Sequence, residues 1–236
     1  MTVDFNQYID QRNRDLWEVL SKDFCVSVVY SSDDTYSIYN KGKIAIIYVP
    51  ADAPCKDSFT HELLHLYLWQ RQVFIGSNIK ARIDEDPLLS CIITPGLVEH
   101  ISNCLDHIKM LPIYLKLGFT RTKFISDYEL EKCTDTTLDG IQYFLQDRGT
   151  LWSYFVDQFI GKFIGMKACP NDEIDYSGKL ARLKEIDAKL FEILDDFWRN
   201  WENFDIEVND PIYNPYDTLS FDLVSQLKEW VANNRN

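Results

Sequence analysis

The order of apolar and polar residues divides the chain into a short β-rich block and a longer helical part. Residues 4–22 place apolar side chains at broadly helical spacing. The pattern then changes to short runs of β-branched and aromatic residues separated by turn residues, which predict three antiparallel strands. These predicted strands are Phe24–Tyr30, Thr35–Tyr39 and Ile44–Val49.

After residue 50 the apolar residues recur at helical spacing. The predicted helices are 58–74, 95–110, 137–147, 151–167, 179–201 and 217–233. This order predicts an α+β, mainly helical fold, in which a small antiparallel sheet is followed by helix 58–74 and a helical C-terminal half. No linker rich in Gly, Ser or Pro is present, so we expect one compact domain over 1–236, with room for a subdivision into 1–112 and 113–236.

Composition and charge narrow the range of partners. The chain has 236 residues, and its 24 basic and 37 acidic side chains give a formal net charge of −13. Because nucleic acids and anionic membranes attract basic surfaces, we expect neither as a partner. The chain has no apolar stretch of about 18 residues and no signal-peptide pattern, so we expect a cytoplasmic protein. Its six cysteines form no C-x-x-C pair, which argues against a structural zinc ribbon.

The strongest chemical motif is His-Glu-Leu-Leu-His at residues 61–65. His61 and His65 are four residues apart, so on a helix they lie one turn apart on the same face, and both imidazoles can reach one zinc ion. Glu62 lies about 100° around the helix, where it can reach a metal-bound water without binding the metal. The surrounding residues are apolar nearly all round, which predicts a buried helix. Buried polar groups need partners, and a metal with its water supplies them.

A catalytic zinc usually has three protein ligands and a water, so a third ligand must come from another segment. The predicted helix 95–110 has one apolar face and a polar face opposite to it. The polar residues are Glu99, His100, Asn103, Asp106 and His107. The acidic run 84–86 precedes a proline and is predicted to be a loop, so it is a weaker source of ligands.

Within that polar face, Glu99 is our predicted third ligand and His100 is the alternative. Asn103 lies one turn after Glu99, where it could hold His61 or His65 through the second ring nitrogen. His107 is expected either to face the cleft and bind the tetrahedral intermediate or to lie on the surface.

Residues 58–67 resemble the signature of the zincin metallopeptidases, because uncharged residues flank the His-Glu-x-x-His motif. The interval of 33 residues between His65 and Glu99 resembles gluzincin spacing, in which a glutamate on a following helix is the third ligand. Asn103 stands where that family has an acidic residue. Residues 110–112 loosely resemble the ImmA/IrrE-type bacterial metallopeptidases. The resemblance covers residues 58–112 only.

The resemblance implies a substrate cleft beside a short sheet. In zincins the edge strand of the sheet that precedes the active-site helix binds the substrate in extended form, and Lys43–Val49 would occupy that place. The helical C-terminal half would form the other wall of the cleft.

The residues and the resemblance together predict a zinc-dependent intracellular metallopeptidase. One zinc ion would be bound by His61, His65 and Glu99, with Glu62 as general base, and a peptide or protein would be the substrate. The alternative is a catalytically inactive metal-binding regulatory or interaction protein on a peptidase-like fold. The oligomeric state is not predicted.

Overall fold

The computed structural model describes residues 3–52, 54–146, 152–207 and 215–234. Within these ranges the chain has a small three-stranded sheet followed by a mainly helical remainder, which confirms the predicted α+β class. The strands are β1 (Cys25–Tyr30), β2 (Ser37–Lys41) and β3 (Ile44–Val49). The helices are α1 (Arg14–Asp23), α2 (Lys56–Gln70), α3 (Ile75–Glu85), α4 (Pro95–Lys116), α5 (Asp135–Gln146), α6 (Trp152–Lys167), α7 (Ser177–Ile186), α8 (Ala188–Glu202) and α9 (Pro215–Asn234). No helix within the described ranges combines the length and apolar character needed to cross a bilayer.

The sheet is mixed, so the prediction of three antiparallel strands is wrong for β1. The strand order is β1-β3-β2, with β1 parallel and β2 antiparallel to β3. A hairpin turn joins β2 to β3 at Gly42, whose φ of 60° favours glycine. Strand β3 is the most apolar of the three and buries Ala45, Ile47 and Val49 completely. It therefore takes the centre of the sheet, and β1 pairs along its other side.

This strand order also corrects the predicted substrate edge. Residues 44–48 pair with both neighbouring strands, and Val49 pairs with β1. A central strand has no free row of backbone N–H and C=O groups to which an extended peptide could add. The edges of this sheet belong to β1 and β2, so the prediction that Lys43–Val49 binds the substrate as an edge strand is wrong.

Several helix bounds differ from the pattern-based prediction. Helix α3 was not predicted and includes residues 84 and 85, which were expected in a loop. The predicted helix 179–201 is two helices, because Asp187 adopts an extended backbone and its side chain accepts a hydrogen bond from the Leu190 N–H, so that it caps α8. Helix α4 continues through Pro112, where the predicted helix 95–110 had already ended. Residues 147 and 151, included in two predicted helices, lie outside the described residues.

The chain forms two compact units. Unit 1 contains residues 1–73 and 109–129, and unit 2 contains residues 74–108 and 130–236. Residue 112, where a subdivision was suggested, lies inside α4. In unit 1 the core forms where α1 and α2 pack on the sheet, and it includes Leu20, Ile47 and Phe59. Among the described helices of unit 2, α6 contributes the largest set of buried aromatic side chains: Trp152, Phe155, Phe159 and Phe163.

Candidate metal centre

Helix α2 is the buried helix that carries the His-Glu-Leu-Leu-His motif. It begins after Cys55, which has an extended backbone, and Asp57 lies in its first turn, where a carboxylate interacts favourably with the helix dipole. It ends at Gln70, and Gln72, two residues later, has a left-handed φ of 58°. Its buried apolar side chains point to several sides of the helix, as the apolar sequence predicted. They are Phe59, Leu63, Leu64, Leu66 and Leu68.

A buried hydrogen-bond network holds α2 directly before the motif. The Asn13 side chain donates to the Tyr8 carbonyl at 3.0 Å and to Thr60 Oγ1 at 2.9 Å. Thr60 Oγ1 in turn donates to the Lys56 carbonyl at 2.7 Å. Asn13 and Thr60 are both fully buried, so the network is shielded from water. It anchors the helix at the residue that precedes His61.

The two histidines of the motif lie side by side on one face of α2. The ring centroids of His61 and His65 are 5.1 Å apart and the ring planes meet at 68°. Both side chains are partly buried. Their proximity follows from the four-residue spacing on a helix.

Two aromatic side chains of unit 1 border this face. The Phe124 ring lies 4.8 Å from the His61 ring and 5.1 Å from the Tyr114 ring, measured between centroids. The Tyr114 hydroxyl lies 3.3 Å from both Asp57 Oδ1 and the Lys123 carbonyl oxygen. Burial is the main reason that the pKa of Tyr114 is raised, and Asp57 adds to the shift. Tyr114 therefore stays a neutral hydrogen-bond donor.

His107 on α4 completes a group of three histidines. One ring nitrogen from each of His61, His65 and His107 lies within 4.8 Å of the others, and all three side chains are partly buried. These three residues could hold a metal ion.

Glu62 is the buried acid of the site. The residue is only 9% exposed. Its burial raises the pKa of the carboxyl group, and the nearby His65 opposes that shift. A carboxyl group with a raised pKa, placed between two potential metal ligands in the sequence, is typical of a residue that exchanges protons at a site.

The other predicted residues of α4 lie elsewhere on that helix. Glu99 and Asn103 are exposed, and within the described part of the chain neither belongs to the histidine group. The His100 side chain of α4 packs against α6, with its Nε2 3.1 Å from the Gly161 carbonyl oxygen and 3.5 Å from the position that a Cβ on Gly165 would occupy. The role of Glu99 as a ligand stays a prediction.

From the sequence, His107 was expected in the cleft or on the surface, but not as a metal ligand. His100 and His107 are seven residues apart, so they share a face of the helix, and the angle around the helix cannot choose between them. Glu99 and His107 are separated by about 12 Å along the helix axis. Which residue of α4 joins His61 and His65 is therefore set by tertiary packing, and the spacing of residues does not contain that information.

Comparisons of this chain with protein-family models, with curated proteins and with solved structures find no match. The resemblance to zincins therefore rests on the motif residues themselves. Any functional conclusion has to come from the chemistry of the histidine group.

Proposed function

We propose that this protein is a zinc-dependent peptidase whose metal is held by His61, His65 and His107. The observation that carries the proposal is the convergence of three histidine nitrogens within 4.8 Å beside a buried glutamate. Three protein ligands with one open position are typical of catalytic zinc sites, whereas structural sites use four ligands.

The donor set favours zinc over the alkaline-earth ions. Imidazole nitrogen is a good ligand for zinc and other late transition metals, whereas calcium and magnesium prefer oxygen ligands. Zinc–nitrogen bonds of about 2.0–2.1 Å in a tetrahedron place two nitrogens about 3.3 Å apart. Small rotations of imidazole rings that already lie within 4.8 Å would reach that separation.

Glu62 would be the general base. A bound zinc would lower the pKa of its water and polarise the scissile carbonyl. Glu62 would accept the proton of that water and later deliver it to the leaving amine. Its apolar surroundings suit this role, because a raised pKa moves the carboxyl group closer to the pH at which it must both accept and donate.

The test uses Glu62→Gln together with a matched control. Glutamine keeps the shape of glutamate but cannot accept a proton, so cleavage of a broad peptide library should fall by about 10²–10⁴-fold while zinc content stays near that of the wild type. The control is Glu99→Gln, the same substitution at an exposed position of α4, which should change neither zinc content nor cleavage.

The outcomes separate the enzyme from its alternative. Undiminished cleavage by Glu62→Gln would remove the catalytic role of this residue. Wild-type protein that binds zinc but cleaves no peptide would favour the catalytically inactive metal-binding protein. Wild-type protein that binds no metal would end both proposals.

A further inference from the structure

Helices α5 and α6 of unit 2 enclose a cavity of about 230 Å³. Phe144 near the end of α5 meets Tyr154 near the start of α6, with ring centroids 4.5 Å apart. The two helices are antiparallel from this contact onward, because α5 precedes α6 closely in the chain and the two helices are in contact. The cavity is therefore a groove with an aromatic end at Phe144 and Tyr154.

The opposite end of the groove is polar. On α6 the residues Tyr154, Gln158 and Lys162 line the groove at intervals of four residues, so they form one stripe that places Lys162 about 12 Å from Tyr154. At the start of α5, the hydroxyl oxygens of Thr134, which directly precedes the helix, and of Thr137 lie 2.9 Å apart and line the end remote from Phe144. An ammonium group and two hydroxyls thus lie at the same end.

Lys162 is a cation that lacks an acidic partner within the described ranges. The neighbouring cations Lys179 and Arg182 are paired, with Glu131 and with the two aspartates Asp135 and Asp139 respectively. No ion pair with a described residue involves Lys162, although the chain carries a net charge of −13. A partly buried lysine that lines a cavity without a carboxylate partner favours an external anion.

We propose that the α5–α6 groove binds a small organic anion that carries an aromatic ring. The ring would pack against Phe144 and Tyr154, and the carboxylate would accept hydrogen bonds from Lys162 and Thr137. The cavity is smaller than the about 300–1,000 Å³ of sites for drug-sized ligands, so the ligand would have the size of an aromatic acid such as phenylacetate. All residues of this site belong to unit 2, and the proposal does not depend on the metal centre.

Gly140 provides a way to fill the groove without removing any polar group. It lines the cavity, and a Cβ there would meet no atom closer than the Phe144 ring at 3.9 Å. Gly140→Leu would place a side chain in the space of the ligand. Because glycine inside a helix is unfavourable, this substitution should not lower the thermal midpoint of the protein.

The experiment is an NMR titration of the full chain with phenylacetate and with phenethylamine, which has a similar shape and the opposite charge. We expect saturable binding of phenylacetate with a dissociation constant of about 1 mM and at least about tenfold weaker binding of the amine. Lys162→Met should weaken phenylacetate binding at least about tenfold, and Gly140→Leu should abolish it with an unchanged or higher thermal midpoint. The control Lys189→Met changes an exposed lysine of α8 and should bind like the wild type.

Three results would overturn the proposal. The first is the absence of saturation at about 10 mM phenylacetate, a concentration that nearly fills a millimolar site. The second is equal binding of the acid and the amine. The third is undiminished binding by well-folded Gly140→Leu.

Discussion

Helices α2 and α6 are each a central, buried helix of one unit, yet they bury different kinds of residue. Helix α6 fills its buried positions with aromatic and aliphatic side chains, among them Phe159 and Phe163 at 0% exposure. Helix α2 buries leucines in the same way, but it also carries the buried Glu62 and the partly buried His61 and His65.

This difference distinguishes residues that stabilise the fold from residues that we expect to have a chemical role. Apolar burial on α6 is favourable on its own, at roughly 25 cal/mol per Å² of apolar surface. Burying the Glu62 carboxyl costs free energy, as the raised pKa of this group indicates. A chain that keeps such residues on a core helix is expected to use them, and bound metal would offset the cost of burying them.

The largest expected effect on stability is on α6. Phe163 is fully buried and its ring makes an edge-to-face contact with Phe191 at 5.3 Å. Phe163→Ala should lower the free energy of unfolding by about 3–5 kcal/mol, measured by urea denaturation. Tyr143→Ala, at a 66% exposed aromatic on α5, should change stability far less. Equal losses from the two variants would contradict the view that α6 forms the core of unit 2.

Zinc that binds to the histidines of α2 should stabilise the folded protein. At a free zinc concentration 100-fold above the dissociation constant, the free energy of unfolding should rise by about 2.7 kcal/mol. Zinc binds neutral imidazole, and the ordinary pKa of histidine is about 6.5, so the gain should shrink as the pH falls from about 7.5 to 5.5. Thermal melts with and without zinc across this pH range measure the effect. A gain that persists unchanged at pH 5.5 would contradict this expectation.

We expect a smaller loss of stability when a polar residue of α2 that has a structural role is replaced. Thr60→Val keeps the shape of the side chain but removes the hydroxyl that contacts Asn13 and the Lys56 carbonyl. This should cost about 1–2 kcal/mol in urea denaturation of the metal-free protein, because Asn13 loses a buried partner. Ser58→Ala removes only a 3.4 Å contact with Cys55 Sγ and should cost less. If the two variants lose the same stability, the buried network does not anchor α2.

Local patterns predicted the elements whose apolar residues form a strong local signal. The three strands and helices α2, α5, α6 and α9 lie within a few residues of their predicted positions, because alternation and helical spacing are properties of the segment itself. The order of the strands was not predictable in this way, because it depends on which strand pairs with a neighbour along both of its edges. Helix α3 was missed although its buried isoleucines, Ile75, Ile79 and Ile83, recur every four residues.

The reason for Gly76 becomes visible only in the folded structure. A Cβ at this position would collide with the Ser102 side chain on α4, so the close approach of two helices requires glycine there. The residues of the candidate metal site could likewise be predicted from the sequence only in part. The spacing of His61 and His65 predicted their shared face, whereas the identity of the third histidine depends on tertiary packing.

The central claim is that His61, His65 and His107 bind one metal ion, and a zinc titration against a competing chelator tests it most directly. The wild type should bind about one zinc per chain, and His107→Ala should bind it at least about 100-fold more weakly, because losing a ligand should cost at least as much as losing a residue that supports one. Glu99→Gln should retain wild-type affinity. Unchanged affinity in His107→Ala together with a large loss in Glu99→Gln would contradict the account and make Glu99 the third ligand.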